Sequence, residues 1–336
     1  MIRFFALFLA LALLTGCGAI PTGPNRYEAS FLTLFDTVTT MVGFADSEGE
    51  FRQTAQAIHD ELLVYHQLFD IYNEYPGMNN LKTVNDRAGE PVRVDGKIIG
   101  LLLFCKDMER ATGGMVNPAM GSVLSLWHEA RTDGINDPSQ AKLPDPEALR
   151  QAAEHMDFDR VIIDEEAGTV CLSDPEMRLD VGAVAKGYAV EQVCRSAPEG
   201  LLISVGGNVR GTGPKPDGSD WVVGLQDPDG TGNLHTVYNQ RDSVVTSGDY
   251  QRYYLVDGEV YHHIIDPETL MPGTKWRAVS ILCADSGVAD ALSTALFLLS
   301  REEGEALLKQ FNAEAMWLDR DGNEYFTDGF TSRLRT

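Results

Sequence analysis

The sequence predicts an α+β fold, because helix-like and strand-like patterns are mixed along the chain without the strict alternation of a βαβ protein. The 336 residues are 43% hydrophobic, which is typical of a globular chain and not of a disordered one. About 310 residues remain beyond the N-terminal segment, enough for one large domain or two closely packed lobes. We find no internal repeat of about 20 to 50 residues.

The first residues have the layout of an export signal. Residues 1–3 carry one positive charge, residues 4–14 (FFALFLALALL) are all apolar, and residues 14–17 read LTGC. The apolar run is shorter than the roughly 20 residues that a membrane-spanning helix needs. The LTGC segment resembles the lipobox of bacterial lipoproteins, which implies that residues 1–16 are removed and that Cys17 carries the lipid, palmitate included. The alternative is a buried N-terminal helix that contains a cysteine.

The segment after the signal is rich in glycine and proline. Residues 18–25 (GAIPTGPN) have the composition of a tether, so we assign residues 17–29 to the lipidated cysteine and tether and residues 30–336 to the folded domain. These features predict a protein that is exported and lipid-anchored to the bacterial cell membrane, facing the extracytoplasmic side.

Apolar residues at helical spacing predict a series of helices. The clearest case is residues 51–72, where Phe51, Ala55, Ile58 and Leu62 recur three or four positions apart. The glycines of residues 112–114 (TGG) end the second helix, since glycine stops helices. The predicted helices cover residues 51–72, 97–110, 146–155, 182–196 and 288–300, with a further helix near the end of the chain.

Short apolar stretches bounded by turn residues predict strands. A hairpin is predicted over residues 161–172, and a tight turn is predicted at Asp257–Gly258. Residues 73–80 are predicted to form a loop, and residues 131–146 a polar surface excursion. The other strands are predicted at residues 201–205, 221–226, 243–246, 253–256, 260–265 and 278–284, followed by a last hairpin around Asp321–Gly322.

The chain is strongly acidic, with a formal net charge of −23. Such a surface repels nucleic-acid phosphates, so we expect no nucleic-acid partner. It also repels a dinucleotide, and a pyrophosphate ligand would therefore need a local cation, either a metal ion or well-placed lysines. Cys105, Cys171, Cys194 and Cys283 form no CxxC pair and lie in apolar contexts. We predict single buried thiols, although an exported protein could form disulfides.

Residues 180–188 (DVGAVAKGY) combine an aspartate, a glycine turn and the start of a predicted helix. Free backbone N–H groups at a helix start, with Lys186 close by, can hold a phosphate. The segment is not a P-loop, because the G-x-x-x-x-G-K-[ST] pattern is absent. On its own, an ordinary strand-to-helix turn with a surface lysine explains it as well.

Asp290 and Thr294 are four residues apart in a predicted helix, so they share one face. A carboxylate and a hydroxyl on one face suit a hard cation such as Mg²⁺, which prefers oxygen ligands. The alternative is an ordinary contact between the two side chains beside the core.

Two adjacent histidines lie in a predicted strand. His262 and His263 must point to opposite faces, so they cannot easily bind one metal ion together. One of them could act as an acid or base in a pocket, and the alternative is a purely structural histidine. Residues 206–208 (GGN) and 246–250 (TSGDY) are glycine-containing turns that permit close backbone approach to a ligand. The other histidines, including His128, are interpreted as structural or surface residues.

A series of short motifs follows one order along the chain, and this order resembles the ApbE family of FAD:protein FMN transferases. The resemblance covers residues 30–310, nearly the whole mature chain, and DVGAVAKGY with ADALST is its most specific pair. The motifs are FDTVTTM (35–41), FDIYN (69–73), TGGMVNP (112–118), LDVGAVAKGY (179–188), SVGGN (204–208), TSGDY (246–250), HHIIDPET (262–269) and ADALST (289–294).

The resemblance implies a two-lobed domain of mixed sheet and helices, with FAD bound in a cleft between the lobes. It implies a Mg²⁺ ion held by the Ala183 carbonyl and by the side chains of Asp290 and Thr294. It places His263 at the reacting end and Lys186 in the loop that it orders. Flavin-nucleotide contacts are implied for Met41, Tyr72, Asn117, Pro118, Ala119, Asp180, Lys186, Ile264 and Ile265.

The activity implied by the resemblance is a Mg²⁺-dependent transfer of FMN from FAD to a threonine or serine hydroxyl of another protein, with release of AMP. The implied acceptors are exported flavoprotein subunits of sodium-pumping quinone reductases or Rnf-type electron-transfer complexes. Two alternatives stay open at this point. One is an FAD pyrophosphatase in which water replaces the protein hydroxyl, and the other is a flavin-binding lipoprotein without catalytic activity.

Overall fold

The computed structural model describes residues 23–336, so the predicted signal, Cys17 and residues 18–22 lie outside the described part of the chain. The described residues combine sheets and helices, which confirms the α+β prediction. The strands are β1 (Asn25–Leu34), β2 (Thr37–Ala45), β3 (Val92–Arg93), β4 (Val161–Asp164), β5 (Thr169–Leu172), β6 (Leu201–Val205), β7 (Asn208–Gly211), β8 (Trp221–Gln226), β9 (Asn233–Asn239), β10 (Ser243–Gly248), β11 (Tyr253–Val256), β12 (Glu259–His262), β13 (Trp276–Cys283), β14 (Glu314–Asp319) and β15 (Glu324–Phe326).

The helices lie mostly between these strands in the sequence. They are α1 (Glu48–Phe69), α2 (Leu81–Asp86), α3 (Gly96–Ala111), α4 (Gly121–Asn136), α5 (Pro146–Ala153), α6 (Ala185–Ser196), α7 (Ser286–Leu298), α8 (Arg301–Phe311) and α9 (Asp328–Thr331). Short 3₁₀ turns lie at Pro138–Gln140 and Phe158–Arg160.

The largest sheet has the strand order β1-β2-β6-β7-β10-β13-β14-β15, and its neighbouring strands are antiparallel. Helices α1, α6 and α7 pack on one face of this sheet. Hairpin β8–β9 and helix α9 cover part of the other face, where Val223, Val237 and Phe330 form a small core. The central strand β13 (WRAVSILC) is buried along most of its length because both of its faces are covered.

A second, smaller lobe has its own core. Helices α4 and α5 and hairpin β11–β12 pack together through Val123, Trp127, Leu149 and Tyr254. The Trp127 indole donates a hydrogen bond to the Leu270 carbonyl at 3.0 Å, which ties α4 to the segment that follows the hairpin. A core that is separate from those of the large sheet confirms the prediction of a two-lobed domain.

Helix α1 shows how the sequence sets the position of an element. Ser47 caps its N-terminus, because the hydroxyl accepts a hydrogen bond from the Glu50 N–H at 3.3 Å. Apolar residues at three- and four-residue spacing, Phe51 and Leu62 among them, face the core. The helix ends at Phe69 and not at residue 72, because the Asp70 carboxylate accepts hydrogen bonds from the Tyr72 and Asn73 N–H groups and turns the chain.

The N-terminal boundary differs from the prediction. Strand β1 begins at Asn25, which lies opposite Ala45 of β2, so residues 25–29 belong to the sheet and not to a tether. The reason lies in the alternation of the strand, since Tyr27 packs on Phe51 of α1 with ring centroids 5.7 Å apart. The glycine- and proline-rich composition of the preceding segment is therefore no guide to the structure of residues 25–29.

Three further boundaries were predicted wrongly. Helix α4 covers residues 121–136, so the predicted surface excursion at 131–146 begins inside a helix. The predicted helix at 182–196 begins at Ala185, because residues 181–184 form a turn. The predicted strand at 260–265 ends at His262, whose ring accepts a hydrogen bond from the Ile264 N–H at 3.2 Å.

The cysteines and the helix lengths complete the description of residues 23–336. Cys105, Cys171, Cys194 and Cys283 are free, and Cys171 is half-buried while the other three are buried. The free thiols agree with the sequence prediction, whereas the predicted burial is wrong for Cys171. In the described ranges, no helix combines the length and the apolar character that crossing a membrane requires.

Candidate active site

A cavity of about 680 Å³ lies between the two lobes. The large lobe contributes the turn before β2, the C-terminal end of α1, residues 180–186, the β6–β7 turn and the facing side of α7. The small lobe contributes α4, and residues 263–265 follow its hairpin. The cavity therefore collects motifs that are far apart in the sequence at one place.

Two tight turns form one rim of the cavity. Phe35 and Asp36 have φ values of 52° and 53°, the left-handed conformation that a two-residue hairpin turn requires. Gly206, with a φ of 57°, lies in the neighbouring β6–β7 turn. A Cβ on Gly206 would lie 2.6 Å from the Thr37 hydroxyl oxygen, so only glycine fits there. The close approach of the two turns fixes the rim.

The DVGAVAKGY segment crosses the floor of the cavity. The Asp180 N–H donates to the Pro118 carbonyl, and the Asp180 carboxylate accepts from the Gly182 N–H, both at 2.8 Å. Helix α6 then starts without a side-chain cap, and Lys186 in its first turn lines the cavity. Burial raises the pKa of Asp180, although the Gly182 N–H and nearby cations oppose this effect. The segment has the uncapped helix start and the lysine that suit a phosphate.

Asp290 and Thr294 line the same cavity from one face of α7, beside Ala183. Asp290 is only 5% exposed, and its Oδ2 accepts a hydrogen bond from the Gly187 N–H at 2.8 Å. Burial raises the pKa of Asp290, and Lys186 is the nearby charge that opposes this. A buried carboxylate that faces a cavity beside a carbonyl and a hydroxyl suits a bound cation.

The donor set for such a cation is mixed. Within residues 23–336, no group of three or more His, Cys, Asp or Glu side chains is arranged to hold a metal ion. A cation at this place would therefore depend on the Ala183 carbonyl and the Thr294 hydroxyl together with the Asp290 carboxylate. Oxygen donors of these three kinds fit Mg²⁺ and not a soft transition metal.

Gly187 lets helices α6 and α7 approach closely behind this group. A Cβ at this position would lie 2.3 Å from the Ser286 carbonyl oxygen and 2.4 Å from the Asp290 Cβ. The contact brings the Gly187 N–H within hydrogen-bond distance of Asp290. The glycine therefore sets the position of the carboxylate in the cavity.

The two adjacent histidines have different surroundings, as their alternation predicts. His262 is buried, its Nε2 donates to the Gly273 carbonyl at 2.8 Å, and its Nδ1 accepts from the Ile264 N–H. His263 faces the cavity, and its Nδ1 is buried without a hydrogen-bond partner. Burial, with a contribution from Arg252, lowers the pKa of His263 to about 3. His263 is therefore neutral at physiological pH.

Three cations line the cavity: Lys186, Arg131 and Arg252. In the part of the chain that the structure describes, none of them lies within 4.0 Å of a carboxylate oxygen. Arg131 instead donates to the His128 Nδ1 at 3.0 Å. A protein with a net charge of −23 thus keeps a local cluster of unpaired positive charge where an anion can enter.

Arg131, Arg252 and His128 line the cavity and were not among the predicted site residues. Arg131 and His128 lie on α4, which was not predicted, and Arg252 follows TSGDY by two residues. A helical pattern through residues 121–136 would have put Arg131 and His128 about one turn apart on one face. No pattern in the sequence alone indicates that Arg252 faces the same cavity.

Tyr72 forms an aromatic surface at the cavity. Its ring stacks on His128 with centroids 5.2 Å apart and planes 29° apart, and 53% of the residue is exposed. Asp70 fixes the turn that carries it, by accepting hydrogen bonds from two N–H groups, the Asn73 amide and the Tyr75 hydroxyl. These bonds lower the pKa of Asp70, although burial acts in the opposite direction. The exposed ring can stack on a planar ligand.

Met41 and Ala119 do not line the cavity, in contrast to the prediction. Met41 is wholly buried because the alternation of β2 turns it into the main core. Ala119 is also wholly buried, and its N–H donates to the Asn117 Oδ1 at 2.8 Å. The Asn117 Nδ2 donates to the Met156 carbonyl, so this side chain has little capacity left for a ligand.

The other predicted site residues in the described chain share the cavity. Ile264 and Ile265 are buried in its wall, and the Ile264 carbonyl accepts from the Gly273 N–H at 3.0 Å. The cavity is lined by Tyr72, Asn117, Pro118, Asp180, Ala183, Lys186, His263, Ile264, Ile265, Asp290 and Thr294.

Comparisons with known proteins indicate the same family as the motifs in the sequence. The model of the ApbE family matches residues 35–317. The chain is 37% identical over 279 residues to the FAD:protein FMN transferase of Treponema pallidum (strain Nichols), covering 76% of this chain and 75% of the relative. It is 33% identical over 266 residues to an FAD:protein FMN transferase of Klebsiella pneumoniae (strain 342), covering 75% and 80%.

Solved structures of similar proteins have the same fold. The ApbE protein from Thermotoga maritima superimposes with a TM-score of 0.82 at 28% identity, covering 93% of this chain and 100% of that one. The flavin transferase ApbE from Vibrio cholerae superimposes with a TM-score of 0.75 at 20% identity, again covering 93% and 100%, and supports the fold alone.

Proposed function

The chain belongs to the ApbE family, and from that premise we propose that it transfers the FMN half of FAD to a hydroxyl group of an acceptor protein. The observation that carries the proposal is the single cavity in which a buried carboxylate, unpaired cations and a neutral histidine meet. Such a set serves phosphoryl transfer, where positioning and charge stabilisation supply most of the catalysis.

Each group has a role that follows from its surroundings. Mg²⁺ held by Ala183, Asp290 and Thr294 would neutralise the pyrophosphate of FAD and the phosphate of the departing AMP. Lys186 and Arg131 attract the same phosphates, and Tyr72 offers its exposed face to a flat ring of the dinucleotide. The local cations offset the repulsion between the acidic surface and FAD.

In the reaction, the acceptor hydroxyl oxygen bonds to the FMN phosphorus, and the bond from that phosphorus to the bridging oxygen breaks. The bridging oxygen leaves with AMP, and the hydroxyl proton passes to the neutral ring of His263. Burial, reinforced by the nearby cations, holds the pKa of His263 near 3 in the free protein. A bound pyrophosphate offsets these cations, so FAD itself makes His263 a stronger base.

Substitution of Asp290 tests the cation site. We expect Asp290→Ala to abolish transfer, measured as the mass of an acceptor protein after incubation with FAD and Mg²⁺. Asp285→Ala is the matched control, because Asp285 caps the same helix and does not line the cavity. Transfer by the wild-type protein in EDTA would contradict the proposal for Mg²⁺.

Substitution of His263 tests the proton transfer. We expect His263→Ala to slow transfer while FAD still binds. A full transfer rate in this variant, with unchanged FAD binding, would show that His263 does not take the proton.

The acceptor that we propose is an exported flavoprotein subunit of a sodium-pumping quinone reductase or an Rnf-type complex. The modified residue would be a threonine in a short Ser/Thr-Gly-Ala-Ser/Thr motif. Support comes from the resemblance between the motifs of this chain and those of the family. Peptide mass mapping of the flavin-bearing residue tests it, and modification of any residue other than a Ser or Thr would contradict it.

We also propose that the protein is exported and anchored through a lipid on Cys17, close to such membrane complexes. The LTGC segment supports this proposal. Metabolic labelling with palmitate in bacterial cells should mark the wild-type protein and not Cys17→Ser. Cys171→Ser should keep the label, since Cys171 is a half-buried residue of the folded domain. Equal labelling of both variants would contradict the anchor.

A further inference from the structure

Asn208 occupies a place between the proposed cation site and the core that none of the roles above uses. It is the first residue of β7, directly after the Gly206–Gly207 turn, and it is 1% exposed. It belongs to the cavity wall beside Asp290. Its carbonyl oxygen Oδ1 accepts a hydrogen bond from the Ser286 hydroxyl at 2.6 Å. The amide is therefore held from one side.

The other side of the amide is unsatisfied. The Asn208 Nδ2 is buried and has no hydrogen-bond partner. A Cβ built on Gly187 would lie 3.0 Å from this nitrogen and 2.4 Å from the Asp290 Cβ, so the amide and the carboxylate meet at the same glycine. A buried donor without an acceptor is rare in folded proteins and needs a physical explanation, such as an ion that binds beside it.

The orientation of the amide follows from its neighbours. If the amide were turned around, Oδ1 would face the Asp290 carboxylate and two acceptors would oppose each other. The Ser286 side is also well anchored, because the Ser286 N–H donates to the Glu191 Oε2 at 2.9 Å. The same Glu191 oxygen accepts from the Arg210 Nε at 3.0 Å. This chain of contacts holds the amide with its NH₂ group toward Asp290.

We propose that Asn208 is a positioning residue for the cation site, and that its Nδ2 donates to the Asp290 carboxylate when the carboxylate binds a divalent cation. One carboxylate oxygen then faces the cation while hydrogen bonds from Asn208 and Gly187 hold the group in plane. The inference rests on the proposed function, because it needs the cation site at Asp290. Groups that hold a metal ligand from behind contribute strongly to metal affinity.

The test measures the binding of Mn²⁺ alone to the full folded domain by electron paramagnetic resonance, without FAD. Asn208→Leu removes both the donor and the acceptor of the amide in a similar shape. Ser286→Ala is its matched control, since it removes the same Ser286–Asn208 hydrogen bond and keeps the Nδ2 donor. We expect Asn208→Leu to raise the Kd for Mn²⁺ by about 10- to 100-fold. Ser286→Ala should change the Kd much less.

Three results would overturn the inference. An unchanged Kd in Asn208→Leu would mean that the amide does not support the carboxylate. An equal rise in both variants would mean that Asn208 acts only through the bond to Ser286. A rise that occurs only after FAD is added would mean that Nδ2 contacts the ligand and not Asp290.

Failure of the cation site itself gives a different pattern. If wild-type protein does not bind Mn²⁺, or if Asp290→Ala binds it equally well, the proposed cation site is wrong whatever Asn208 does. Thermal unfolding without metal shows whether Asn208→Leu folds. If it does not, Asn208→Ser, which is smaller and polar, gives the same comparison with the same expected rise.

Discussion

His263 illustrates how the chemistry of one residue depends on its surroundings. The imidazole faces a cavity lined by Lys186, Arg131 and Arg252, and its Nδ1 has no hydrogen-bond partner. Burial, reinforced by Arg252, holds the pKa of the ring near 3, so the ring stays neutral over the physiological range. Sequence alternation predicted that the two histidines point to opposite faces and that one of them could act in a pocket. Only the folded chain shows that His263 faces the cavity and is surrounded by cations.

The low pKa of His263 predicts how stability changes with pH. Below about pH 6.5 the unfolded chain protonates this histidine while the folded protein does not, so the free energy of unfolding falls between about pH 6.5 and 3. We expect His263→Gln to lose less stability than the wild type over this range, measured by urea unfolding at several pH values. Parallel curves for the two proteins would contradict the pKa.

His155 provides a control of opposite sign. Its ring is hydrogen-bonded to Asp174 at 2.9 Å, which raises the pKa of His155. The stability from this pair is present below about pH 6.5 and is lost as the pH rises through the folded-state pKa. His155→Gln should therefore lose most free energy of unfolding, relative to the wild type, at acidic pH. At the same acidic pH, His263→Gln should become more stable relative to the wild type.

The unpaired arginines predict the electrostatics of FAD binding. We expect Arg131→Gln to raise the Kd for FAD by roughly 10- to 100-fold, because it removes a charged, half-buried donor that we propose bonds to the phosphates of FAD. Arg252 is exposed, so Arg252→Gln should have a smaller effect that shrinks further at high salt. Quenching of flavin fluorescence measures the Kd for FAD of both variants.

Arg241→Gln is the control for these two variants. Arg241 pairs with Glu199 at 2.6 Å and does not line the cavity, so FAD affinity should not change. A similar loss of affinity in all three variants would mean that overall charge, and not the position of Arg131 and Arg252, governs FAD binding.

At the scale of elements, the contact between α6 and α7 connects packing to the site. Gly187 lets the two helices approach, and the Gly187 N–H holds Asp290. We expect Gly187→Ala to lower the free energy of unfolding by about 1–3 kcal/mol, because the added methyl meets the Ser286 backbone. Urea unfolding measures the free energy of unfolding of this variant. The rate of FMN transfer should also fall, because the added methyl group displaces Asp290.

Gly49→Ala is the matched helical control. A Cβ on Gly49, in the first turn of α1, would have no atom within 4 Å. This variant should therefore be as stable as the wild type or slightly more stable. If Gly187→Ala behaved in the same way, the proposed limit on the approach of α6 and α7 would be wrong.

Strand β1 and helix α4 were not predicted from the sequence, and each omission has a physical reason. Strand β1 starts in a segment whose glycine and proline content suggests a tether, yet Tyr27 and its alternating neighbours bury one face on α1. Helix α4 contains Gly121 and Gly134, which weaken the helical pattern. Packing requires both glycines. A Cβ on Gly121 would lie 2.5 Å from the Arg178 carbonyl oxygen, and a Cβ on Gly134 would lie 2.7 Å from the Tyr254 ring.

At the scale of the whole molecule, two lobes enclose one cavity that gathers motifs separated by more than 200 positions in the sequence. The order of those motifs predicted the family and most of the lining residues, because each motif is local. Met41 and the arginines show the limit of that approach. Sheet register decides which way a strand residue such as Met41 points. The packing of the lobes decides which distant arginines reach the cavity. No local sequence pattern contains either kind of information.

The overall charge sets the remaining constraint. A net charge of −23 repels FAD at long range, while Lys186, Arg131 and Arg252 attract its phosphates inside the cavity. These cations explain how an acidic protein can receive an anionic substrate. Whether an acceptor hydroxyl or water attacks the phosphorus decides between transfer and hydrolysis.

The most direct test of the central claim is a single reaction with FAD, Mg²⁺ and a candidate acceptor, in which released AMP, free FMN and acceptor-bound FMN are quantified together. We predict one acceptor-bound FMN for each AMP released, little free FMN, and none of these products with Asp290→Ala. Free FMN equal to AMP with an unmodified acceptor would show hydrolysis and contradict transfer, and intact FAD without any AMP would contradict catalysis altogether.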